Sequence, residues 1–177
     1  MLEDTLARLS FLKKEDIFIA TNAEYLPAVR TLISKKIHNE NIIVEPALRD
    51  TTACIGLAAA FIAKKYPDEV MAIVYADHLI KNKKTFIQKL KIAEKLARKE
   101  DTINVIAVKA KYPNTKLGYI KIGRMLKGPG GAEIATFEKF VEKPDRATAV
   151  RFLNSYKYLW NTGLYVWKAE TILKKLK

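Results

Sequence analysis

Cysteine and histidine are almost missing from this sequence: 177 residues carry one Cys, Cys54, and two His, His38 and His78. A lone thiol cannot close an internal disulfide, and with two imidazoles it cannot complete a four-ligand zinc site, so disulfide-stapled and zinc-built scaffolds are excluded. No apolar run approaches the roughly 20 residues that cross a bilayer, so no membrane span is expected. The first residues, Met1-Leu2-Glu3-Asp4-Thr5, offer neither a basic n-region nor an apolar h-region, which predicts no secretory leader and a cytoplasmic location. Acidic residues are scarce as well, 19 against 32 Lys plus Arg, for a net charge of +13. That excess invites a nucleic-acid reading, but it is dispersed as lysine pairs (Lys13-Lys14, Lys35-Lys36, Lys64-Lys65, Lys83-Lys84, Lys174-Lys175) near the ends or outer faces of predicted helices. Such placement suits solvated faces and helix C-termini, and a phosphate-rich small substrate draws on the same positive field. Nucleic-acid binding is the minor reading.

What is present is a chain with 49% hydrophobic and 29% charged residues, the balance of one globular domain with a sizeable core. Its organising stretch is Val70-Met71-Ala72-Ile73-Val74-Tyr75, an unalternating apolar run that stops at Ala76-Asp77-His78. The run predicts a strand covered on both faces, as in parallel sheets flanked by helices. Ligands of such sheets sit at the carboxyl ends of the strands, which makes Asp77 a candidate site residue; a helix-capping role is the plain alternative, and His78 reads as structural. Around this strand lie a helix over 1–9, a strand over 17–20, a helix capped by Thr21-Asn22, a strand over 42–44, a small-residue helix over 53–65, an amphipathic helix over 85–99 and a strand over 103–108. That alternation predicts βαβ crossovers and a mainly parallel sheet. From 117 onward the pattern changes to strands over 117–122 and 134–141, a helix over 145–156, a strand over 158–168 broken at Asn161-Thr162-Gly163, and a final helix. Lys127-Gly128-Pro129-Gly130-Gly131 has no helix after it, so it reads as a hairpin connection and not as a phosphate cradle.

Five motifs then stand in a fixed order: Glu45-Pro46-x-x-Arg49-Asp50-Thr51, Ala76-Asp77-His78, Gly118-Tyr119-Ile120, Phe140-Val141-Glu142-Lys143-Pro144-Asp145 and Tyr158-x-Trp160-Asn161-Thr162-Gly163. In that order the chain resembles the mannose-1-phosphate guanylyltransferases of the sugar nucleotidyltransferase superfamily. The resemblance covers the whole chain but only the middle of such an enzyme. It implies an α/β, Rossmann-like three-layer sandwich of the nucleotide-diphospho-sugar transferase type, with a mainly parallel mixed sheet, within a single catalytic-domain fragment over 1–177. It also implies that the first strand and its Gly-rich loop, which cradles the triphosphate, belong before Met1. In the usual doubly wound order that strand would pair with 17–20 and 70–75, leaving two open edges, marginal stability and scope for a homo-oligomer.

The chemistry implied by the resemblance is transfer of GMP from GTP to mannose 1-phosphate, giving GDP-mannose and pyrophosphate. Asp77 would bind Mg²⁺ as catalytic and metal-binding residue, and Lys143 would meet the sugar phosphate as second catalytic residue. Glu142 and Asn161 would fix sugar hydroxyls, Gly118 and Tyr119 would admit the sugar to the backbone, and Arg49, Asp50 and Thr51 would line the nucleotide pocket. Without the resemblance, Glu142-Lys143 is equally an exposed ion pair, Asn161-Gly163 a bulge and Arg49-Asp50 a surface turn. Family members carry Asn at the position of Asp50, Pro at Tyr75 and a Gly-Tyr-Gly-Tyr sequence at Lys116-Leu117-Gly118-Tyr119. Mannose against glucose, GTP against another nucleotide and activity of this chain alone are left open, as is a catalytically silent sugar-phosphate-binding relative.

Overall fold

The computed structural model describes residues 1–33 and 36–176; Lys35 of the Lys35-Lys36 pair lies outside them. In chain order the elements are α1 (Leu2–Arg8), β1 (Ile19–Asn22), α2 (Leu26–Ile33), β2 (Ile42–Glu45), α3 (Asp50–Lys65), β3 (Val70–Ala72) and α4 (Lys83–Lys99). Then come β4 (Asn104–Val105), β5 (Val108–Lys109), β6 (Tyr119–Lys127), β7 (Glu133–Val141), α5 (Arg146–Ser155), β8 (Tyr158–Trp160), β9 (Tyr165–Lys168) and α6 (Ala169–Leu176). Two compact units are formed, one from Met1–Met71, Tyr75–Lys83 and Lys168–Lys177, the other from Ala72–Val74 and Lys84–Trp167.

The first unit contains the expected crossover. β1 and β2 pair in parallel, Ile19 with Ile42 through Asn22 with Glu45, and α2 connects them. Pro27 is the second residue of α2, where a missing N–H costs nothing. Asn22 Oδ1 accepts the Tyr25 N–H (2.9 Å), holding the turn into that helix. Leu6 of α1, Ile33 and Ile37 are buried, with Leu2, Ile17, Ile19, Val29 and Ile42 packed on them. One polar residue that the apolar pattern did not single out completes this core. Asn41 is fully buried, and its Nδ2 donates to the carbonyls of Glu15 (2.9 Å) and Ile17 (3.1 Å), latching the segment that enters β1. α3 starts at Asp50, three residues ahead of the expected Ala53, and its Gly56 lies against α6: a Cβ there would come 3.2 Å from Leu176 Cδ1.

The second unit is antiparallel, which corrects the expectation of a mainly parallel sheet. β4 with β9, β5 with β8, β6 with β7 and β6 with β8 all run antiparallel, so parallel pairing is confined to β1 and β2 among the ladders with an assigned direction. The reason is connectivity. β6 and β7 are joined by the five-residue glycine-rich turn, which only a hairpin can use, and α5 then carries the chain past β6 to β8, so that β6 lies antiparallel between β7 and β8. Gly130 and Gly131 adopt φ of +66° and +75°, conformations that glycine takes without steric cost, so the hairpin reading of this turn holds. β5, β8, β6 and β7 form one sheet in that order, over a core of Ala110, Tyr119, Ala149 and Trp160. Phe152 of α5 stacks on Tyr158, ring centroids 3.7 Å apart.

Two apolar runs are shorter as strands than their patterns predict. In 70–75 the regular strand covers Val70–Ala72, only Met71 is buried and Ala72 is exposed, so the run is not covered on both faces. Its continuation is held singly, the Ile73 N–H donating to Tyr165 O at 2.8 Å. The run 103–108 divides into β4 and β5 because its partners divide: β4 follows β9, β5 follows β8, and the Asn161–Leu164 turn separates those two. At the switch the Ile106 N–H donates to Leu164 O (2.9 Å), while Thr162 Oγ1 donates to Ile106 O.

Candidate functional site

The candidate residues of the second unit come together through strand register. β8, β6 and β7 are adjacent, and Trp160, Tyr119 and Val141 pair across them. The next row outward therefore consists of Asn161, Gly118 and Glu142, one residue from each of three separate motifs. Side-chain and backbone contacts agree with the register. The Asn161 N–H donates to Gly118 O at 2.8 Å, and a Cβ built at Gly118 would lie 2.9 Å from Glu142 Oε2 and 2.7 Å from Phe140 Cε2 and Cζ. A side chain there would require that ring and carboxylate to move.

Each side chain in the row has a defined state. Asn161 Oδ1 accepts the Gly163 N–H (3.0 Å) and its Nδ2 donates to the Tyr165 hydroxyl (3.0 Å), which leaves one amide hydrogen and one lone pair for a ligand. Tyr119 is fully buried, and its hydroxyl both donates to Asn114 O and accepts the Asn114 N–H, at 2.9 Å each. Its main chain, not its ring, belongs to the site edge. Lys143 Nζ lies 3.3 Å from Glu142 Oε1, with the two side chains 62% and 57% exposed. A pair so open to water is worth ~0 to 1 kcal/mol, so stability does not account for it.

The backbone at Lys143 is the unusual feature. Its φ is +37°, a left-handed conformation rare for a side chain of this kind, and the residue precedes Pro144, which ordinarily confines its neighbour to extended geometry. Such strain persists where surrounding structure over-determines it. Here Pro144 is buried and Asp145 caps α5, its Oδ1 accepting the Thr148 N–H at 2.7 Å. That hydrogen bond, seconded by the Thr148 hydroxyl, holds the Asp145 carboxyl below its ordinary range. In the Phe140–Asp145 motif, then, the proline and aspartate anchor, while Glu142 and Lys143 face solvent.

The first unit places the other candidates on turns. Arg49 is the N-cap of α3, and Asp50, the first helical residue, has φ of +62°; Arg49, Asp50 and Thr51 are all exposed. Asp and Asn tolerate this conformation best among residues with a Cβ, so Asp50 meets the same backbone demand as asparagine would. Asp77 is exposed in the turn that follows Ala76, and His78 is half-buried against Tyr75, ring centroids 5.3 Å apart. Cys54, on α3, is half-buried; burial pushes its thiol up to about 11, helped by a hydrogen bond to Glu45 and by that carboxylate's charge. Tyr165 is a contributor that motif reading did not name, although it lies four residues after Asn161, and Phe140 was named only as part of its motif, without a role.

A family description of nucleotidyl transferases matches residues 1–177. A mannose-1-phosphate guanylyltransferase of Escherichia coli is 33% identical over 99% of this chain and 38% of its own length. An alginate biosynthesis protein of Pseudomonas fluorescens is 31% identical over 100% of this chain and 36% of its own length. Among solved structures, one titled mannose-1-phosphate geranyltransferase from Thermus thermophilus superposes with a TM-score of 0.82 at 28% identity, covering 97% of this chain and 48% of that one. One titled mannose-6-phosphate isomerase from Helicobacter pylori superposes with a TM-score of 0.81 at 26% identity, over 99% of this chain and 64% of that one. The chain thus spans less than half the length of these curated relatives and carries, from end to end, the fold and motif order of its kind: it belongs to the nucleotidyl transferase family.

Proposed function

We propose that this chain carries the sugar-phosphate-binding and metal-binding residues of an enzyme that transfers GMP from GTP to mannose 1-phosphate, releasing pyrophosphate. The observation that carries the reading is the row Asn161, Gly118, Glu142, with strained Lys143 next to it. Glu142 accepts from sugar hydroxyls, the free amide hydrogen and lone pair of Asn161 pair with another, and bare backbone at Gly118 together with that of Tyr119 forms the floor. The Lys143 ammonium, held out by its left-handed turn, neutralises the sugar phosphate. An oxygen of that phosphate attacks the nucleotide α-phosphorus; a new P–O bond forms as the bond to the bridging oxygen breaks, and the pyrophosphate leaves with that electron pair. Such chemistry is mostly placement and charge neutralisation.

Asp77 gives a hard, exposed carboxylate beyond the end of β3. Mg²⁺ takes one or two carboxylates, with water and substrate phosphates completing its shell, so a single aspartate fits this ion and a closed protein cage is not required. When bound, the ion would supply charge neutralisation to the phosphates that it meets. Arg49, Asp50 and Thr51 meet the nucleotide from the N-terminal turn of α3.

Isothermal titration tests the sugar side. Mannose 1-phosphate should bind the chain, and Lys143→Ala should weaken it about tenfold while GTP affinity stays within about threefold, since Lys143 serves one substrate only. An equal loss for both ligands, or mannose 1-phosphate binding untouched by the substitution, would refute the assignment.

A further inference from the structure

We propose that α1 acts as a positioning clasp for the turn that presents Asp77, with Thr5, Arg8 and Lys83 making its contacts. This rests on the reading of Asp77 as the metal-binding carboxylate. Thr5 is 4% exposed, and its hydroxyl donates to the carbonyl of Ala76, the residue before Asp77, at 3.2 Å. Arg8 is 8% exposed, and its Nη2 donates to Thr5 Oγ1 at 2.5 Å. A hydroxyl has one hydrogen. With a guanidinium N–H occupying a lone pair of Thr5, that hydrogen is left for Ala76 O, and the positive charge polarises it toward the carbonyl.

A buried cation costs several kcal/mol unless it is compensated; Arg8 stands in the last turn of α1 within reach of the Asp4 charge, yet its hydrogen bond goes to the Thr5 hydroxyl, and its Nε has no hydrogen-bond partner among the described residues. The far end of the turn is gripped by the same helix. Lys83 Nζ donates to the carbonyl of Ala7 (2.7 Å) and to Ser10 Oγ (3.1 Å), at the C-terminal end of α1 where carbonyls lack helical partners and cations are favoured. Asp77 to Asn82 therefore span two anchor points on one short helix, and the Tyr75–His78 ring contact braces the entry. Preset in this way, the carboxylate pays no ordering cost when the metal and phosphates arrive.

Thr5→Val removes the hydroxyl at nearly constant shape, and Thr5→Ser keeps it. Backbone order parameters of the metal-free protein should show Ala76, Asp77 and His78 falling from about 0.85 toward 0.6 in Thr5→Val, with β1 and β2 unchanged and Thr5→Ser like the parent. Mn²⁺ affinity, followed by paramagnetic broadening of the Asp77 amide, should weaken about threefold or more in Thr5→Val only. Lys83→Ala, a surface change that leaves the core intact, should loosen the exit of the turn, Leu79 to Asn82. Rigid turns in both Thr5→Val and Lys83→Ala, or equal loosening of β1 and β2, would overturn the clasp, as would failure of Thr5→Ser to restore order. Absence of Mn²⁺ broadening at Asp77 in the parent protein would instead remove the metal role of that residue, and the order parameters would still decide the clasp.

Discussion

The two units hold their candidate groups by different means: in one, strand register sets Asn161, Gly118 and Glu142 side by side, and in the other, Asp50 and Asp77 stand on turns outside any ladder. A row built on three adjacent strands inherits its spacing from backbone hydrogen bonds, so it survives the loss of any one side chain with its geometry intact. Turn-borne groups depend on individual contacts, the Thr5–Ala76 bond and the Arg49–Asp50 backbone among them. The ladder suits recognition of a sugar, where several hydroxyls must be met at fixed spacing. On the proposed reading, the turns carry the charged groups that would meet metal and triphosphate, where small adjustments accompany binding.

The sharpest way to break this comparison is at Asp77. Asp77→Asn keeps shape and removes charge; on the proposed reading, in a protein with the N-terminal segment of the relatives restored, Mg²⁺-dependent kcat/KM should fall by about 100-fold or more, the scale of losing a charge-neutralising group. Near-normal turnover would show that the first unit does not supply the metal-binding carboxylate. A smaller effect is expected from Gly118→Ala. Its Cβ would meet Phe140 and Glu142 at 2.7 and 2.9 Å, so the ends of both exposed side chains must swing aside, at little cost to stability but displacing the Glu142 carboxylate. Mannose 1-phosphate affinity should drop about tenfold with GTP affinity retained; equal loss of both would mean that the row is not a separate site.

How much of this could be read from residues alone differs between the units for a physical reason. Local signals worked in part: the apolar runs marked strands but overstated their length, while the Asn22 turn, Pro27 near a helix start, the break at Asn161–Gly163 and the glycine turn each reflect chemistry within a few residues. The family motifs located Gly118, Glu142 and Asn161, but nothing local says that they share a row, because pairing of β6 with β8 and β7 is set across the sheet. The β6–β7 hairpin was legible from its glycine turn, but the antiparallel pairing of β4 with β9, β5 with β8 and β6 with β8 was not, for the same cause. Lys143 runs against its local rule, since a residue before proline is expected to be extended. The Thr5–Ala76 bond joins positions 71 apart, and Asn41 is buried in spite of its polarity because three carbonyls surround its amide.

Cys54 lies outside the candidate site and probes how closed the first unit is around α3. With its thiol pushed up to about 11, the thiolate fraction near pH 8 is minute, and alkylation by iodoacetamide should run about 100-fold slower than for a free thiol. The sign for stability follows from the raised value: the contribution of the protonated thiol is complete below the unfolded pKa near 9 and is lost as pH rises through about 11. Cys54→Ala should flatten that alkaline decline. Fast alkylation at pH 8 would mean that α3 opens readily at its Glu45 side.

The most direct measurement of the division between ladder and turns is an amide chemical-shift map with each ligand in turn. Mannose 1-phosphate should shift Gly118, Tyr119, Glu142, Lys143 and Asn161 and leave Arg49, Asp50 and Thr51 unmoved, whereas Mg²⁺ with GTP should shift Arg49, Asp50, Thr51 and Asp77. Mannose 1-phosphate shifts confined to the first unit, or none along the Asn161–Gly118–Glu142 row, would contradict the account.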